Sequence, residues 1–304
     1  MRRMDSGASV AHAFAGRPGI NAVLVYPSGQ VRGLDPATLV QEGGNILPVQ
    51  AKGTFDDCQE LTRRAILDRD FSARYGVTSA NTINPGRLLP QVFYYLYAFI
   101  QAKRAVAGDI AFSVPCGNFG NLMAGLYAWK FGLPVSGFVA AMNANNPLGG
   151  FLGGGTFTPR APVRTKSPAI DVSSPSNLSR LASFYRDSPA VMRSMVYPAS
   201  VGDEETLRTM GGVWKKYGVH IDAHTAVAFA AAEKTAAAAD WKGHTHTVVL
   251  STMHHAKEPE LVYLASGVTV EVPKRFAPHR GKVNPAVVIP PDLDTFEGVI
   301  AGNF

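Results

Sequence analysis

The sequence predicts an α/β protein built on parallel strands. Three observations carry that expectation. Segments with helical and strand patterning alternate along the chain, a complete strand–turn–helix–strand unit lies between Ile110 and Ala141, and glycine- or proline-bearing turns punctuate the alternation. The 304 residues are enough for about two domains. A hydrophobic share of 46% excludes a disordered chain.

The elements follow in order. Residues 6–15 (SGASVAHAFA) have the small-residue make-up of a helix, and Asn21–Tyr26 reads as a buried strand stopped by Pro27. A second short strand, Ile46–Gln50, follows Gly43-Gly44. Gly53-Thr54 opens a helix over 55–68, with Phe55, Cys58, Leu61 and Ala65 on one stripe. Leu88, Leu89, Val92, Phe93, Leu96, Phe99 and Ile100 mark a long helix near 85–103. Ile110–Val114 is a strand, Pro115–Asn121 a glycine-bearing turn, Leu122–Phe131 a helix and Pro134–Ala141 the next strand. That spacing is a βαβ unit, and its two strands are therefore parallel. Residues 143–180, rich in Gly, Asn, Ser, Pro and Thr, read as one long loop. Helices near 203–217 and 224–239 and a strand at 246–251 continue the alternation, and a Pro-rich tail after Gly267 is expected to wrap the surface.

Composition narrows the function classes. The net charge is +6, but the basic residues are scattered, and no basic stretch is interleaved with stacking aromatics. No nucleic-acid partner is expected. The longest apolar run, Val92–Ile100, is half of what a bilayer requires, so no membrane association is expected either. Two cysteines, Cys58 and Cys116, make no disulfide framework and point to a reducing, cytoplasmic setting.

The segment Gly117-Asn118-Phe119-Gly120-Asn121 sits between a buried strand and a helix start. Backbone N–H groups there, with glycines permitting close approach, make either an anion site or simply a tight turn. The spacing is neither the dinucleotide fingerprint nor a Walker A.

Around that loop, SVPCGNFGNLMAGLYAWKFGLPV (113–135) resembles the phosphate cradle of threonine synthases, pyridoxal-phosphate enzymes of fold type II. VAHAFAGRPGINAVLVYPSGQV (10–31), GGNI and FDDCQEL (43–61), and SANTINPGRLLPQVFYYLYA (79–98) are similar to the same family, in the same order. AIDVSSPSN (169–177), HTAVAFAA (224–231) and LSTMHHAK (250–257) complete the series. The resemblance implies a tryptophan synthase β-like fold with parallel-rich sheets flanked by helices. It implies an incomplete small domain over 1–88 and a larger cofactor domain over 89–304 that includes the tail. Gly117, Asn118, Phe119, Gly120 and Asn121 are implied to hold the phosphate of pyridoxal 5'-phosphate, and Thr252 to face its ring nitrogen. Asp5, Ser6, Asn81, Thr82, Asn84 and Arg87 are implied to bind the substrate, O-phospho-L-homoserine, with Arg87 gripping its phosphate bidentately. The implied activity is its conversion with water to L-threonine and phosphate, by a monomer or homodimer.

There are departures from the family. Asp5-Ser6-Gly7 aligns with the end of a serine-glycine-aspartate-threonine-glycine loop, where Arg3 and Met4 replace the first two residues. The lysine that forms the Schiff base, in a phenylalanine-lysine-aspartate context before that loop, has no counterpart in this sequence. Lys257 matches a different family lysine, His255 stands for a proline and Glu258 for a phenylalanine. The expectation is an N-terminally truncated threonine synthase, short of its covalent catalyst. The alternative is an inactive remnant that at most binds phosphate or the cofactor, or one that pairs with a lysine-bearing chain.

The remaining polar candidates read as structural. His244, His246, His254 and His255 lack a recognisable metal-ligand spacing, so no metal is expected. Cys116 has no histidine at fixed spacing and reads as a buried thiol. Asp222 and His224 read as the cap of the helix that begins there.

Overall fold

The computed structural model describes residues 5–28, 44–154, 157–158, 160–172, 174–238, 241, 244–274 and 286–304. In chain order the elements are α1 (Asp5–Phe14), β1 (Ala22–Pro27), β2 (Ile46–Ala51), α2 (Phe55–Leu67), α3 (Arg69–Tyr75), α4 (Leu89–Ala105), β3 (Asp109–Pro115), α5 (Gly120–Lys130), β4 (Gly137–Met142) and α6 (Pro147–Gly154). There follow α7 (Leu178–Phe184), α8 (Pro189–Met192), β5 (Val196–Ser200), α9 (Asp203–Tyr217), α10 (Ala223–Ala238), β6 (Thr245–Val249), α11 (Pro259–Ser266), β7 (Val287–Ile289) and α12 (Leu293–Asn303). Among the described residues no helix is long and apolar enough to cross a membrane.

The chain divides into two compact units, Met1–Asn84 with Ala277–Phe304, and Pro85–Phe276. This differs from the expected division after residue 88, and it moves the C-terminal tail into the first unit. The physical reason is β7, which pairs in parallel with β2, Val49 opposite Val287 and Ala51 opposite Ile289. The tail therefore completes a sheet instead of wrapping a surface.

In the first unit the sheet order is β1-β2-β7, all parallel. Alternation along β1 sends Leu24 and Tyr26 to a core shared with Ala11 of α1. On the opposite face Leu47, Val49 and Ala51 pack with Cys58 and Leu61 of α2, Phe71 of α3 and Phe296 and Ile300 of α12. Thr54 and Asp57 form a reciprocal capping box that starts α2, where Gly53-Thr54 predicts it.

In the second unit the order is β5-β4-β3-β6, again all parallel. The predicted βαβ unit is β3-α5-β4. Ile110, Phe112 and Val114 face the large core under α4 and α5, together with Phe138 of β4. Ala111, Val139 and Ala141 face α10 on the other side. These small residues let α10 come close enough for the Ser113 hydroxyl to donate to Ala228 O at 2.6 Å. An alanine-rich helix buried nearly all round suits that tight spacing.

The stretch 143–180, expected to be one loop, contains α6, a 3₁₀ turn at Pro168–Ile170 and the start of α7. Asn146 accepts from Gly149 N–H at 2.8 Å, Pro147 opens α6, and Leu148 and Leu152 are buried one turn apart.

Candidate functional site

Strand order fixes where the second unit presents its loops. From β3 the chain steps to β4 and then β5 in one direction, and returns to place β6 on the other side of β3. The switch in direction lies between β3 and β6, and the crevice outside the carboxyl ends of strands at such a point is where open α/β sheets bind ligands. The loop after β3 is Cys116–Phe119, and the loop after β6 contains Ser251 and Thr252. Both end at the same sheet edge, since Ser113 pairs with Val249 and Leu250 N–H donates to Ser113 O at 3.0 Å.

The loop leaves backbone donors at a helix start without helical partners. Phe119 is in the left-handed region (φ 58°), its ring is buried, and it gives α5 no side-chain cap. The first bond that closes the helix runs from Met123 N–H to Phe119 O at 2.9 Å, so the amides of Gly120, Asn121 and Leu122 precede it. Those amides sit at the positive end of the helix dipole, a natural place for an anion. Behind the loop, a Cβ on Gly117 would lie 3.0 Å from Val172 Cγ2 and 3.1 Å from Ala169 O. A side chain at 117 would crowd that segment. Asn118 is fixed from α7, its carbonyl accepting from Asn177 Nδ2 at 2.9 Å and its side-chain oxygen from Ser176 N–H at 3.2 Å.

Asn121 is held from α4. The hydroxyls of Tyr94 and Tyr95 both reach its Oδ1, and Tyr95 Oη also lies 2.9 Å from its carbonyl. With the oxygen occupied, the side chain offers its two Nδ2 hydrogens outward. Tyr95 is fully buried and packs edge-on to Phe112 at 4.9 Å, so the core itself orients Asn121. Burial raises the hydroxyl pKa of both tyrosines, and Arg87 opposes it at Tyr94. Both phenols thus stay protonated and keep donating.

Thr252 is exposed, and its neighbour Ser251 has its hydroxyl 3.1 Å from Thr225 Oγ1. Arg87 closes a 3₁₀ turn (Pro85–Arg87) before α4, its carbonyl accepting from Gln91 Nε2 at 3.0 Å. In the first unit Asn81, Thr82 and Asn84 form one polar turn. Asn84 N–H donates to Asn81 O at 3.0 Å, Asn84 Nδ2 to Thr78 Oγ1 at 3.0 Å, and Thr82 Oγ1 to Asn81 Oδ1 at 3.3 Å. Asp5 and Ser6 begin α1, and their side chains lie outside the described residues. The structure thus brings Gly117–Asn121 and Thr252 to one sheet edge, and groups Asn81, Thr82 and Asn84 separately.

Burial pushes the Cys116 thiol well above its usual range, which makes it inert. Asp222 does cap α10, accepting from His224 N–H at 2.8 Å. Tyr94, Tyr95 and Asn177 fall within the quoted segments without a role, because each acts on a loop far from it along the chain.

Comparison with known proteins decides the family. The model of the pyridoxal-phosphate dependent enzymes matches residues 5–252, and that of the threonine synthase C-terminal region matches 225–300. The chain belongs to the threonine synthase family. It is 38% identical over 273 residues to threonine synthase of Escherichia coli (strain K12), across 90% of this chain and 62% of that protein. The crystal structure of threonine synthase from Escherichia coli superposes with a TM-score of 0.85 at 36% identity, over 99% of this chain and 68% of that one. A pyridoxal-phosphate-bound threonine synthase from Brucella melitensis gives a TM-score of 0.80 at 28% identity, over 98% and 68%. The fold is that of the type II pyridoxal-phosphate enzymes, as the resemblance implies. The chain spans about three fifths of the length of the curated threonine synthases that it matches over 90% of its own length.

Proposed function

We propose that this chain supplies the cofactor- and substrate-binding part of a threonine synthase, which turns O-phospho-L-homoserine and water into L-threonine and phosphate. One observation carries it. A loop of backbone donors at a helix start, with a glycine whose Cβ would crowd the segment behind it, stands at the switch point of a parallel sheet beside Thr252.

The residues fit pyridoxal phosphate. Gly117, Asn118, Phe119, Gly120 and Asn121 would hold its phosphate, and Thr252 would meet its ring nitrogen with a neutral hydroxyl. Bound there, the cofactor supplies an electron-withdrawing ring that makes carbon-bound protons of an attached amino acid acidic. Arg87 binds the substrate phosphate with its two-pronged guanidinium. Asn81, Thr82 and Asn84 orient the substrate by hydrogen bonds.

The family's Schiff-base lysine matches no residue of this sequence. We therefore assign the covalent and proton-transfer work to sequence that this chain does not contain. The same observation favours a second reading, in which the chain binds phosphate or the cofactor and turns nothing over.

Titration with pyridoxal phosphate, followed by borohydride reduction and peptide mapping, tests this. We expect saturable binding, competed by inorganic phosphate, with no pyridoxyl-lysine after reduction. A chain that binds neither ligand rejects both readings. Phosphate release from O-phospho-L-homoserine by this chain alone rejects the second reading and the absence of a resident catalytic lysine.

A further inference from the structure

We propose that Asp222, His224 and Thr225 are positioning residues that fix both sides of the cofactor site, Thr252 through Ser251 and Gly117 through Ala169. The inference rests on Gly117–Asn121 and Thr252 being that site.

All three side chains are buried, at 1%, 2% and 5% exposure. A buried carboxylate needs a partner on each oxygen. Asp222 Oδ1 takes the α10 amides as a cap, which is common, and also the His224 ring at 2.8 Å, which is not required of a cap. At the far side of that ring Nε2 accepts from Ala169 N–H at 3.1 Å. A ring nitrogen that accepts carries no proton, so Nδ1 bears the hydrogen and donates it to Asp222. The imidazole is thus neutral and fixed in one tautomer. On the other oxygen, the Thr225 hydroxyl donates to Asp222 Oδ2. The same Thr225 hydroxyl also reaches Ser251 Oγ at 3.1 Å, so Ser251 is tied to Asp222 through one oxygen.

The result is one satisfied chain: Ser251 to Thr225 to Asp222, and His224 between Asp222 and Ala169. Both ends act on the site. Ala169 O and Ile170 Cα are each 3.1 Å from the point a Gly117 Cβ would occupy, so the backing of the loop is held by the His224 ring. Ser251 directly precedes Thr252, beyond the last β6 contact with β3. A polar chain with every member satisfied specifies a single arrangement.

The two arms make different predictions, because inorganic phosphate reads the loop alone and pyridoxal phosphate reads the loop and Thr252. Dissociation constants for both ligands are measured by calorimetry on the full chain and its variants. Ser251→Ala and Thr225→Val should weaken pyridoxal phosphate about tenfold, the worth of one charge-linked hydrogen bond, and inorganic phosphate less than about twofold. His224→Ala should weaken both about tenfold. His224→Gln, whose amide oxygen can accept from Ala169, should recover most of the phosphate affinity. Ser251 is exposed, so its variant keeps the fold and isolates the first arm. A purely structural role would lower both affinities in step with stability. The proposal is overturned if Ser251→Ala and Thr225→Val leave the ratio of the two affinities unchanged, or if His224→Gln binds phosphate no better than His224→Ala. A wild-type chain that binds neither ligand overturns it together with the site itself, whereas normal binding with unresponsive variants overturns it alone.

Discussion

Trp214, His220, His255 and His254 stand in file just beyond Thr252. Trp214 and His220 are parallel at 3.9 Å, His220 and His255 are 5.5 Å apart, and His255 and His254 stack at 4.5 Å. Burial holds the pKa of His220 and His255 below the ordinary imidazole value of 6.5; for His255 the two neighbouring histidines push the same way and Asp222 opposes. Burial alone would raise the Asp222 carboxyl, but the hydrogen bonds from His224 and Thr225 together hold it below the carboxylate value of 3.8. For the histidines the unfolded chain takes up protons first as pH falls. The stability from keeping them neutral is therefore whole above about pH 6.5 and drains as pH drops through their folded values. Asp222 adds a further loss below about pH 4. Urea midpoints should fall between pH 7 and pH 5, and His255→Phe should flatten that slope. A midpoint indifferent to pH in this window would contradict it. At this scale the glycines and asparagines after β3 are legible as a strand-to-helix turn, because their chemistry is local. Tyr95 is not, since it bonds to a residue 26 positions away and its own helix gives no hint of direction.

Helix α5 shows how packing overrides propensity. Gly125 stands inside it, where glycine costs about 1 kcal/mol against alanine. Yet a Cβ there would lie 2.6 Å from Phe138 Cε1 and 2.8 Å from Tyr95 Cε1, both rings fully buried. Gly125→Ala should therefore destabilise the chain by about 1–3 kcal/mol through overpacking. By displacing Tyr95 it should also weaken phosphate binding. Urea denaturation and phosphate calorimetry check this, and a more stable variant would refute it. The β3-α5-β4 unit is readable because apolar runs and a glycine turn mark it. Three other elements hide behind residues that usually break structure. Helix α6 is glycine-rich, but Asn146, Pro147 and the Leu148–Leu152 pair are a start signal and a buried stripe. Strand β5 contains Pro198, which its place at the sheet edge tolerates. Helix α12 follows two prolines, and Asp292 caps it by accepting from Thr295 N–H at 2.8 Å.

At the scale of the molecule, alternation along the chain suffices for the α/β class. It does not reveal that the C-terminal residues belong with the first unit. A three-residue strand has no periodicity to read, and its partner β2 lies at the other end of the sequence. Ending the chain at 285 removes Ile289, Phe296 and Ile300 from the core on β2. Limited proteolysis of that shortened chain should degrade the first unit and leave a fragment near 85–276. Equal loss of both units would contradict the division. The arrangement also has a consequence in time. On the ribosome, β1 and β2 emerge early, but β2 keeps an unpaired edge until β7 is made. The second unit is one unbroken stretch of message and is complete before that. At about 5–20 residues per second the wait is on the order of tens of seconds. The first unit's sheet is thus completed last, and for that interval a nascent chain carries a folded second unit and an open sheet edge that chaperones must guard.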